Sequence, residues 1–400
     1  MTKPNPITKS SSIPTTTMIS LFAYFIISLG VALQIAGGNW DIIWHGIGNV
    51  ETFFTPPHSV IYSGVALVIF GILFRSVSVI ILRIKRSNNM SNLSKLPSFL
   101  PFPFKLCVIG AILQLTAGPF DFWWHSIFGF DGLLSPPHTV LLTGMLVASL
   151  GGLVGIYKHF KENLFSNVAR TFFVISSGIY LMVAVGLVLM FTLPFSEGQY
   201  FDFNPEPLAA MVVATTVIPF IMGLSLYMML AGTKIPFIFT SITGVIITIQ
   251  ATTTILSNSS FMWLFPFYIL NIVPPIVADT IVIRHRKTKI NKQDSGDKEE
   301  NGEDNMKIKS TADSNKIEIY ASMLVSSFFV FLFFPWTVDV FAGFFQPSDN
   351  VRTEEFLMQI LLPIILPFVI PVSLISSLIG IHLIRRINKK SLVKMIRSYF

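Results

Sequence analysis

Two blocks of the sequence share one aspartate and two histidines at the same spacing. The two sets are Asp41, His45 and His58, and Asp121, His125 and His138. In each set the aspartate and the first histidine are four residues apart, so on a helix both side chains lie on one face, about 6 Å apart at Cβ. The second histidine follows Thr-Pro-Pro or Ser-Pro-Pro, in which the hydroxyl can cap a new helix and the proline fits its first turn. Each block therefore predicts a helix end, a short loop and a helix start whose three polar side chains converge.

Two imidazoles and one carboxylate suit a divalent transition metal. Imidazole favours zinc, copper, iron or nickel, and a facial set of two histidines and a carboxylate with open positions is typical of non-haem iron. The aspartate is either a direct ligand or a partner that fixes the tautomer of an imidazole. Helix-borne histidines can also hold haem iron, although the accompanying aspartates argue against haem. A single histidine at a membrane interface is usually an anchor, whereas a whole set that occurs twice favours metal or proton chemistry.

One acidic residue follows the first histidine of each set by six positions. These residues, Glu51 and Asp131, match in charge between the two blocks. A carboxyl group close to a metal can donate a proton to a reacting group or complete the coordination. We expect Glu51 and Asp131 to be catalytic proton donors or additional ligands.

The composition places these residues in a membrane protein. Hydrophobic residues make up 52% of the 400 residues and charged residues only 12%, and the mean hydropathy is +0.67. So few charges cannot cover a water-facing surface, since soluble domains contain about 25% charged residues. This excludes a soluble enzyme, a nucleic-acid-binding protein and a disordered scaffold, despite the net charge of +7. The single cysteine, Cys107, excludes an intrachain disulfide and a cysteine-based zinc site.

Ten apolar runs reach the length of about 20 residues that a membrane-spanning helix needs. They occupy residues 18–40, 58–82, 105–127, 137–157, 168–193, 208–231, 235–256, 263–283, 319–342 and 357–384. The predicted fold class is all-α: a polytopic integral membrane helical bundle of about ten transmembrane helices, with an internal tandem repeat of helix hairpins. The lipid bilayer is then the main partner, and nucleic acid is not one.

The basic residues indicate the orientation of the spans. If the N-terminus is cytoplasmic, all 28 lysines and arginines except Arg352 lie in cytoplasmic segments, as the positive-inside rule requires. We therefore expect a multi-pass protein of the cell (plasma) membrane, with both termini in the cytoplasm and both Asp-His-His sets toward the outer face. The spans contain almost no ionisable residue at mid-depth, which disfavours an ion-coupled transporter.

The chain divides into seven segments. These are a polar N-terminus (1–17), a first repeat unit (18–83), a second repeat unit (98–158), further transmembrane helices (165–285), a charged linker (286–317), a final transmembrane hairpin (318–385) and a basic tail (386–400). The linker is poor in apolar residues and cannot bury enough surface to order itself, so it is predicted to be disordered.

The repeat extends well beyond the six ligand candidates. Residues 33–64 and 113–144 align without a gap. Further identical pairs include Gln34 and Gln114, Gly38 and Gly118, Trp44 and Trp124, and Gly64 and Gly144. The central pattern reads DIIWHGIGNVETFFTPPH in the first block and DFWWHSIFGFDGLLSPPH in the second. Both blocks follow the pattern D-x3-H-x12-H, with tryptophan before the first histidine and T/S-P-x-H at the end. This pattern resembles the C subunit of the copper membrane monooxygenases, which are the particulate methane and ammonia monooxygenases.

The resemblance covers about 110 residues, 33–144, and it implies both which metal the protein binds and which kind of reaction it takes part in. In that family the aspartate and two histidines of the first pattern are copper ligands, and a second pattern carries asparagine in place of the aspartate. The resemblance implies that each set here holds one copper, with iron or zinc as other possible metals. It also implies a subunit of a copper-dependent membrane oxidoreductase that works with other membrane subunits, O2 and a small apolar substrate.

This sequence departs from the family in two ways. Both blocks carry aspartate, and the last six spans have no counterpart in the resemblance. Two other functions therefore stay open: a non-catalytic membrane protein for metal acquisition, storage or transfer, and a structural subunit whose metals join its helices.

Overall fold

A computed structural model describes residues 15–46, 52–86, 99–129, 133–162, 166–192, 205–294, 303–329 and 366–390. Helices account for most of these residues, and no strand occurs among them. The helices are α1 (Thr15–Gly46), α2 (Pro56–Arg86), α3 (Phe102–Phe128), α4 (Pro136–Lys161), α5 (Ser166–Leu189), α6 (Pro207–Thr233), α7 (Ile238–Ser257), a 3-10 helix (Ser259–Leu264), α8 (Phe265–Leu270), α9 (Val273–Asp294), α10 (Glu303–Phe328) and α11 (Leu366–Lys390).

Eight helices within the described residues are long and apolar enough to cross a bilayer, namely α1 to α7 and α11. They correspond to eight of the ten predicted spans. The prediction of an all-α polytopic membrane bundle is therefore confirmed. The physical reason is that hydrocarbon offers no hydrogen-bond partner to the backbone, and a helix satisfies its amides and carbonyls internally.

The predicted span over 263–283 is not one continuous helix. The chain passes from the 3-10 helix into the short α8 and then through a turn before α9 begins. Pro274 and Pro275 lie in the first turn of α9, where proline costs no backbone hydrogen bond. The apolar run therefore contains a helix start that hydropathy alone does not reveal.

The charged segment 286–317 is helical at both of its ends. α9 continues to Asp294 and α10 begins at Glu303, so helix extends into the range 286–317 that was predicted to be disordered. Arg286 Nη2 donates to Glu318 Oε1 at 2.7 Å and joins the two helices. Once a helix has started, each added residue gains a backbone hydrogen bond, which favours extension beyond the apolar run. The part of the predicted span 319–342 beyond residue 329 lies outside the described residues.

The first four helices form two antiparallel hairpins, α1–α2 and α3–α4, that repeat each other. Glycines at equivalent positions let the helices of each hairpin approach closely. A Cβ added at Gly64 would lie 2.5 Å from the carbonyl oxygen of Gly30. In the second hairpin, a Cβ added at Gly110 would lie 2.6 Å from the carbonyl oxygen of Gly144. Small residues at crossings are how membrane helices pack without a hydrophobic driving force.

The two hairpins are related by an approximate two-fold axis, because equivalent residues meet between them. Gln34 Nε2 donates to Gln114 Oε1 at 3.0 Å, and the two occupy the same position in their units. Closer to the other end of the hairpins, the guanidinium of Arg75 lies over the rings of Phe104 and Tyr24, 4.2 Å and 6.0 Å from their centroids. These two rings are again equivalent positions, 80 residues apart. The axis therefore runs along the bundle between α1 and α3.

α1 and α4 lie inside the bundle, and α2 and α3 lie on its surface. Their apolar windows are 56% and 50% buried for α1 and α4, against 22% and 28% for α2 and α3. α5 packs against α4 and α1, and α7 packs against α1. Lipid is left as the main neighbour of α2 and α3.

A carboxylate from α9 caps the N-terminus of α7. Phe237, which precedes α7, makes no side-chain cap and has a φ of 53°. Asp279 Oδ2 accepts hydrogen bonds from the amide and the hydroxyl of Thr240, at 2.7 Å and 2.8 Å. Asp279 Oδ1 accepts from the amide of Phe239 at 3.4 Å. The carboxylate satisfies amides that have no partner within the helix and ties α7 to α9.

Candidate metal centres

Each Asp-His-His set joins the two helices of one hairpin. The aspartate and the first histidine belong to the last two turns of α1 or α3, and the second histidine to the first turn of α2 or α4. The hydroxyl of Thr55 accepts a hydrogen bond from the amide of His58 at 3.3 Å, and that of Ser135 accepts from the amide of His138 at 3.4 Å. The predicted N-caps are confirmed, and they place the second histidine of each set at the start of its helix.

In the first set the carboxylate lies between the two imidazoles. Asp41 Oδ2 is 3.7 Å from His45 Nε2, and Asp41 Oδ1 is 3.4 Å from His58 Nε2. The side chains of Asp41 and His58 are 18% and 13% exposed, whereas that of His45 is 39% exposed. The first set is thus accessible from the side of His45.

The second set has the same arrangement. Asp121 Oδ1 is 3.3 Å from His125 Nε2 and 3.4 Å from His138 Nε2. Within each set, the three residues offer ligand atoms that lie within 4.8 Å of one another. The structure therefore brings together all six residues that the sequence predicted as metal ligands, in two groups of three.

The separations within each set fit metal coordination better than hydrogen bonding. A charge-assisted hydrogen bond between nitrogen and a carboxylate oxygen is about 2.7–2.9 Å long, shorter than the observed 3.3–3.7 Å. Ligand atoms about 2.0–2.1 Å from a tetrahedral ion lie about 3.4 Å from each other. Oδ1 of Asp41 and of Asp121 is buried, and imidazole Nε2 atoms approach it at 3.3–3.4 Å. A bound cation would compensate these desolvated oxygens, so the residues present fit a metal ion.

Backbone carbonyls orient the histidines of the second set. His125 Nδ1 lies 3.0 Å from the carbonyl oxygen of Gly129, and His138 Nδ1 lies 3.1 Å from that of Leu133. With its proton on Nδ1, each ring directs the lone pair of Nε2 at Asp121, the tautomer that a metal ligand needs. Gly129 has a φ of 73°, in the left-handed region that glycine adopts without steric cost.

Sequence analysis did not identify these carbonyls, because a backbone acceptor leaves no trace in the side-chain pattern. Gly129 itself was the available signal, since a glycine directly after a helix often marks a left-handed residue. Its equivalent in the first unit, Asn49, lies outside the described residues.

A cavity of about 870 Å³ lies between the two hairpins, and both sets border it. Asp41 and His58 line it from one hairpin, and Asp121 and His138 from the other. The remaining walls are mostly apolar, and neither lysine nor arginine is among the lining residues. The two candidate metal sites therefore share one apolar chamber.

The cavity reaches the lipid-facing surface of the bundle. Three of its apolar lining residues are strongly exposed: Phe53 at 46%, Leu115 at 50% and Phe122 at 64%. The rings of Phe53 and Phe122 pack edge to face, 6.0 Å apart between centroids. These three residues belong to α3 and to the loop before α2, on the side of the bundle that lipid covers. The cavity therefore opens at the surface of the bundle between α3 and the loop before α2.

The remaining predictions about the site have separate outcomes. Glu51 and Asp131, the predicted proton donors, lie outside the described residues. Haem does not fit the second set, because Asp121 Oδ1 lies within 3.4 Å of both histidines and stands where a porphyrin between them would have to be. The geometry favours a single ion at each set.

Comparisons with known proteins do not assign a family or a function to this chain. No protein-family model, curated protein or solved structure matches the chain. The repeat, the geometry of the two sets and the cavity between them are therefore the basis on which a function is inferred.

Proposed function

We propose that this protein is a copper-binding membrane protein that takes part in the oxidation of a small apolar substrate by O2, similar to the C subunit of the copper membrane monooxygenases. The observation that carries the proposal is the shared cavity, which an aspartate and a histidine from each set line together with apolar side chains. Metal ligands that face an apolar, lipid-accessible chamber suit a substrate that arrives through the bilayer. The resemblance over residues 33–144 supports copper, although the same ligands also suit iron or zinc.

The protein's own residues would hold the metal, beside the apolar side chains that line the chamber. Each set offers two imidazoles and one carboxylate, and the caps at Thr55 and Ser135 position the second imidazole. Bound copper in its reduced state would supply the chemistry that activates O2. In the overall reaction a C–H bond of the substrate becomes C–OH, and the second oxygen atom leaves as water. An external quinol or copper protein provides the two electrons, and Glu51 and Asp131 deliver the two protons.

The proposed setting is the cell membrane, with both sets toward the outer face and both termini in the cytoplasm. α2 and α4 carry their histidines in the first turn and end in basic turns at Arg86 and Lys161. Basic residues at the ends opposite the metal sites agree with the positive-inside rule. Other membrane subunits complete the oxidative complex in this proposal.

A second candidate function is metal acquisition, storage or transfer without catalysis. The exposure of His45, 39% of its side chain, favours it, because an accessible ligand lets a metal enter and leave. A structural role, in which metals only join helices, needs closed coordination, and the open side at His45 disfavours it.

The test is the metal content of the purified full-length protein, measured by mass spectrometry after growth in copper-replete medium. We expect about two copper ions per chain, about one in His58→Ala or His138→Ala, and none in the double variant. His382→Ala is the matched control, because this exposed histidine bonds the carbonyl oxygen of Leu378 in its own helix and no other described residue.

The outcomes separate the candidate functions. Two coppers together with O2 uptake that depends on an apolar substrate and a quinol support the oxidative function. Two coppers that exchange with a chelator, without substrate-dependent O2 uptake, support metal transfer. No bound metal in the wild type would overturn both.

A further inference from the structure

The floor of the cavity is a pair of buried glutamines on the two-fold axis. Gln34 and Gln114 are 1% and 2% exposed, and both line the cavity. Gln34 Nε2 donates to Gln114 Oε1 at 3.0 Å and also to the carbonyl oxygen of Gly30 at 3.4 Å. These two bonds set the orientation of both amides.

One acceptor and one donor of this pair are left without a partner. Gln34 Oε1 and Gln114 Nε2 are buried and make no hydrogen bond to any residue that the structure describes. A buried amide group without a partner is costly, and two such groups from equivalent positions point to a ligand that satisfies both. Turning both amides over would exchange the two roles and still leave one acceptor and one donor.

The rest of the chamber restricts the chemistry of such a ligand. Its walls are mostly apolar, no lysine or arginine lines it, and Asp41 and Asp121 already bring two carboxylates to its far end. An anionic ligand would add negative charge beside these two carboxylates and meet no lysine or arginine among the described lining residues. A ketone or an ether accepts hydrogen bonds but does not donate them, so it would leave Gln34 Oε1 unsatisfied. A hydroxyl group donates and accepts at the same atom.

The chamber is also large enough and deep enough for an alkyl chain. Its volume of about 870 Å³ lies within the range of small-molecule sites, about 300–1,000 Å³. Gly38 and Gly118 line it, and a Cβ added at either glycine would meet nothing within 4 Å. Gln34 precedes Asp41 by seven residues, which is about 10 Å along a helix.

We propose that the chamber binds an uncharged aliphatic alcohol whose hydroxyl group donates to Gln34 Oε1 and accepts from Gln114 Nε2. Its alkyl chain extends along the two-fold axis, and its far end lies between the two Asp-His-His sets. This inference deepens the proposed function, since it names the ligand class of the same chamber, but the binding itself requires no metal.

The test is photolabelling of the full-length protein in lipid nanodiscs with 1-octanol that carries a diazirine near its methyl end. The paired probe is its methyl ether, which has the same chain but cannot donate a hydrogen bond. We expect the alcohol to label residues near the metal sites at least tenfold more strongly than the ether. Excess 1-octanol should compete, and excess octane should not.

Three variants make the test specific. Gln34→Met together with Gln114→Met keeps the side-chain volume, and we expect labelling by the alcohol to fall at least tenfold, to the level of the ether. Gly118→Leu fills open space, and we expect it to block both probes. Thr248→Leu is the matched control, because Thr248 is exposed and, within the described part of the chain, its hydroxyl bonds the Gly244 carbonyl of its own helix.

Equal labelling by alcohol and ether, or labelling by the alcohol that survives the double glutamine substitution, would overturn the inference. Metal content is measured on the same samples, and we expect it unchanged in the glutamine variant. Alcohol-specific labelling of a wild-type protein that binds no metal would leave this inference standing while the proposed function fails. Two bound metals without alcohol-specific labelling would overturn this inference and leave the proposed function standing.

Discussion

Substitution of Gly64 by alanine tests whether the close contact between α1 and α2 sets the geometry of the first metal site. The added methyl carbon would lie 2.5 Å from the carbonyl oxygen of Gly30, and 2.7 Å and 2.9 Å from Cγ and the amide nitrogen of Gln34. Two of these three neighbours are backbone atoms that cannot rotate away. Because real Cβ contacts are essentially never shorter than 3.0 Å, the helices must separate locally by about 0.5 Å.

Two effects follow from that separation, one on stability and one on metal binding. Overpacking costs about 1–3 kcal/mol, and alanine recovers at most about 1 kcal/mol of helix propensity relative to glycine, so we expect a net loss of about 1–2 kcal/mol. α1 carries Asp41 and His45 and α2 carries His58, so the ligand atoms move apart. A shift of 0.5 Å exceeds the tolerance of about 0.2 Å for metal–ligand distances, so copper binding at the first site should weaken at least tenfold.

The assay is thermal unfolding in nanodiscs, together with copper titration of the metal-free protein. Gly144→Ala is the internal comparison and should weaken only the second site. Gly38→Ala is the matched control, since a Cβ there meets nothing within 4 Å, and it should leave the unfolding temperature unchanged or slightly raised. An unchanged unfolding temperature and two unaffected copper sites in Gly64→Ala would refute the reasoning.

Two further predictions concern residues that hold the bundle together. Asp279→Ala removes the cap of α7, and we expect a loss of about 1–2 kcal/mol in the free energy of unfolding, with much of it restored in Asp279→Asn, measured by denaturant titration in detergent. Arg75 is 1% exposed, lies 4.2 Å above the ring of Phe104 and donates to the carbonyl oxygen of Phe99 at 2.8 Å. Arg75→Ala should therefore cost about 3 kcal/mol through lost packing and hydrogen bonds. A loss below about 1 kcal/mol would contradict the assigned role of Arg75.

The pairing of the six ligand candidates could be predicted because it follows from local geometry. Asp41 and His45 are four residues apart and therefore share a helix face. Thr55, three residues before His58, marks the start of the next helix. A helix, a short loop and a second helix leave little freedom, so the three side chains meet. The same reasoning applies to the second unit, which has the same spacing.

Other features could not be predicted because they depend on contacts between distant parts of the chain. The repeat showed that Gln34 and Gln114 are equivalent, but only the packing of the two hairpins made them partners at 3.0 Å. One local feature was missed for a different reason: hydropathy counted the run 263–283 as one span, because an average over apolar residues ignores where Pro274 and Pro275 fall. Asp279 gave no sign that it caps α7, since its partners lie 39 and 40 residues earlier.

The sequence by itself determined that the chain is a helical membrane protein with two equivalent Asp-His-His sets. Composition decides between water and lipid as the solvent. A backbone that crosses lipid must form helices or a closed barrel, and apolar runs of about 20 residues select helices. The tertiary structure alone decided that the two sets face one apolar chamber with a pair of glutamines at its floor. That arrangement arises where two hairpins meet across an approximate two-fold axis, and helix packing, which sets such an axis, depends on the shapes of whole surfaces.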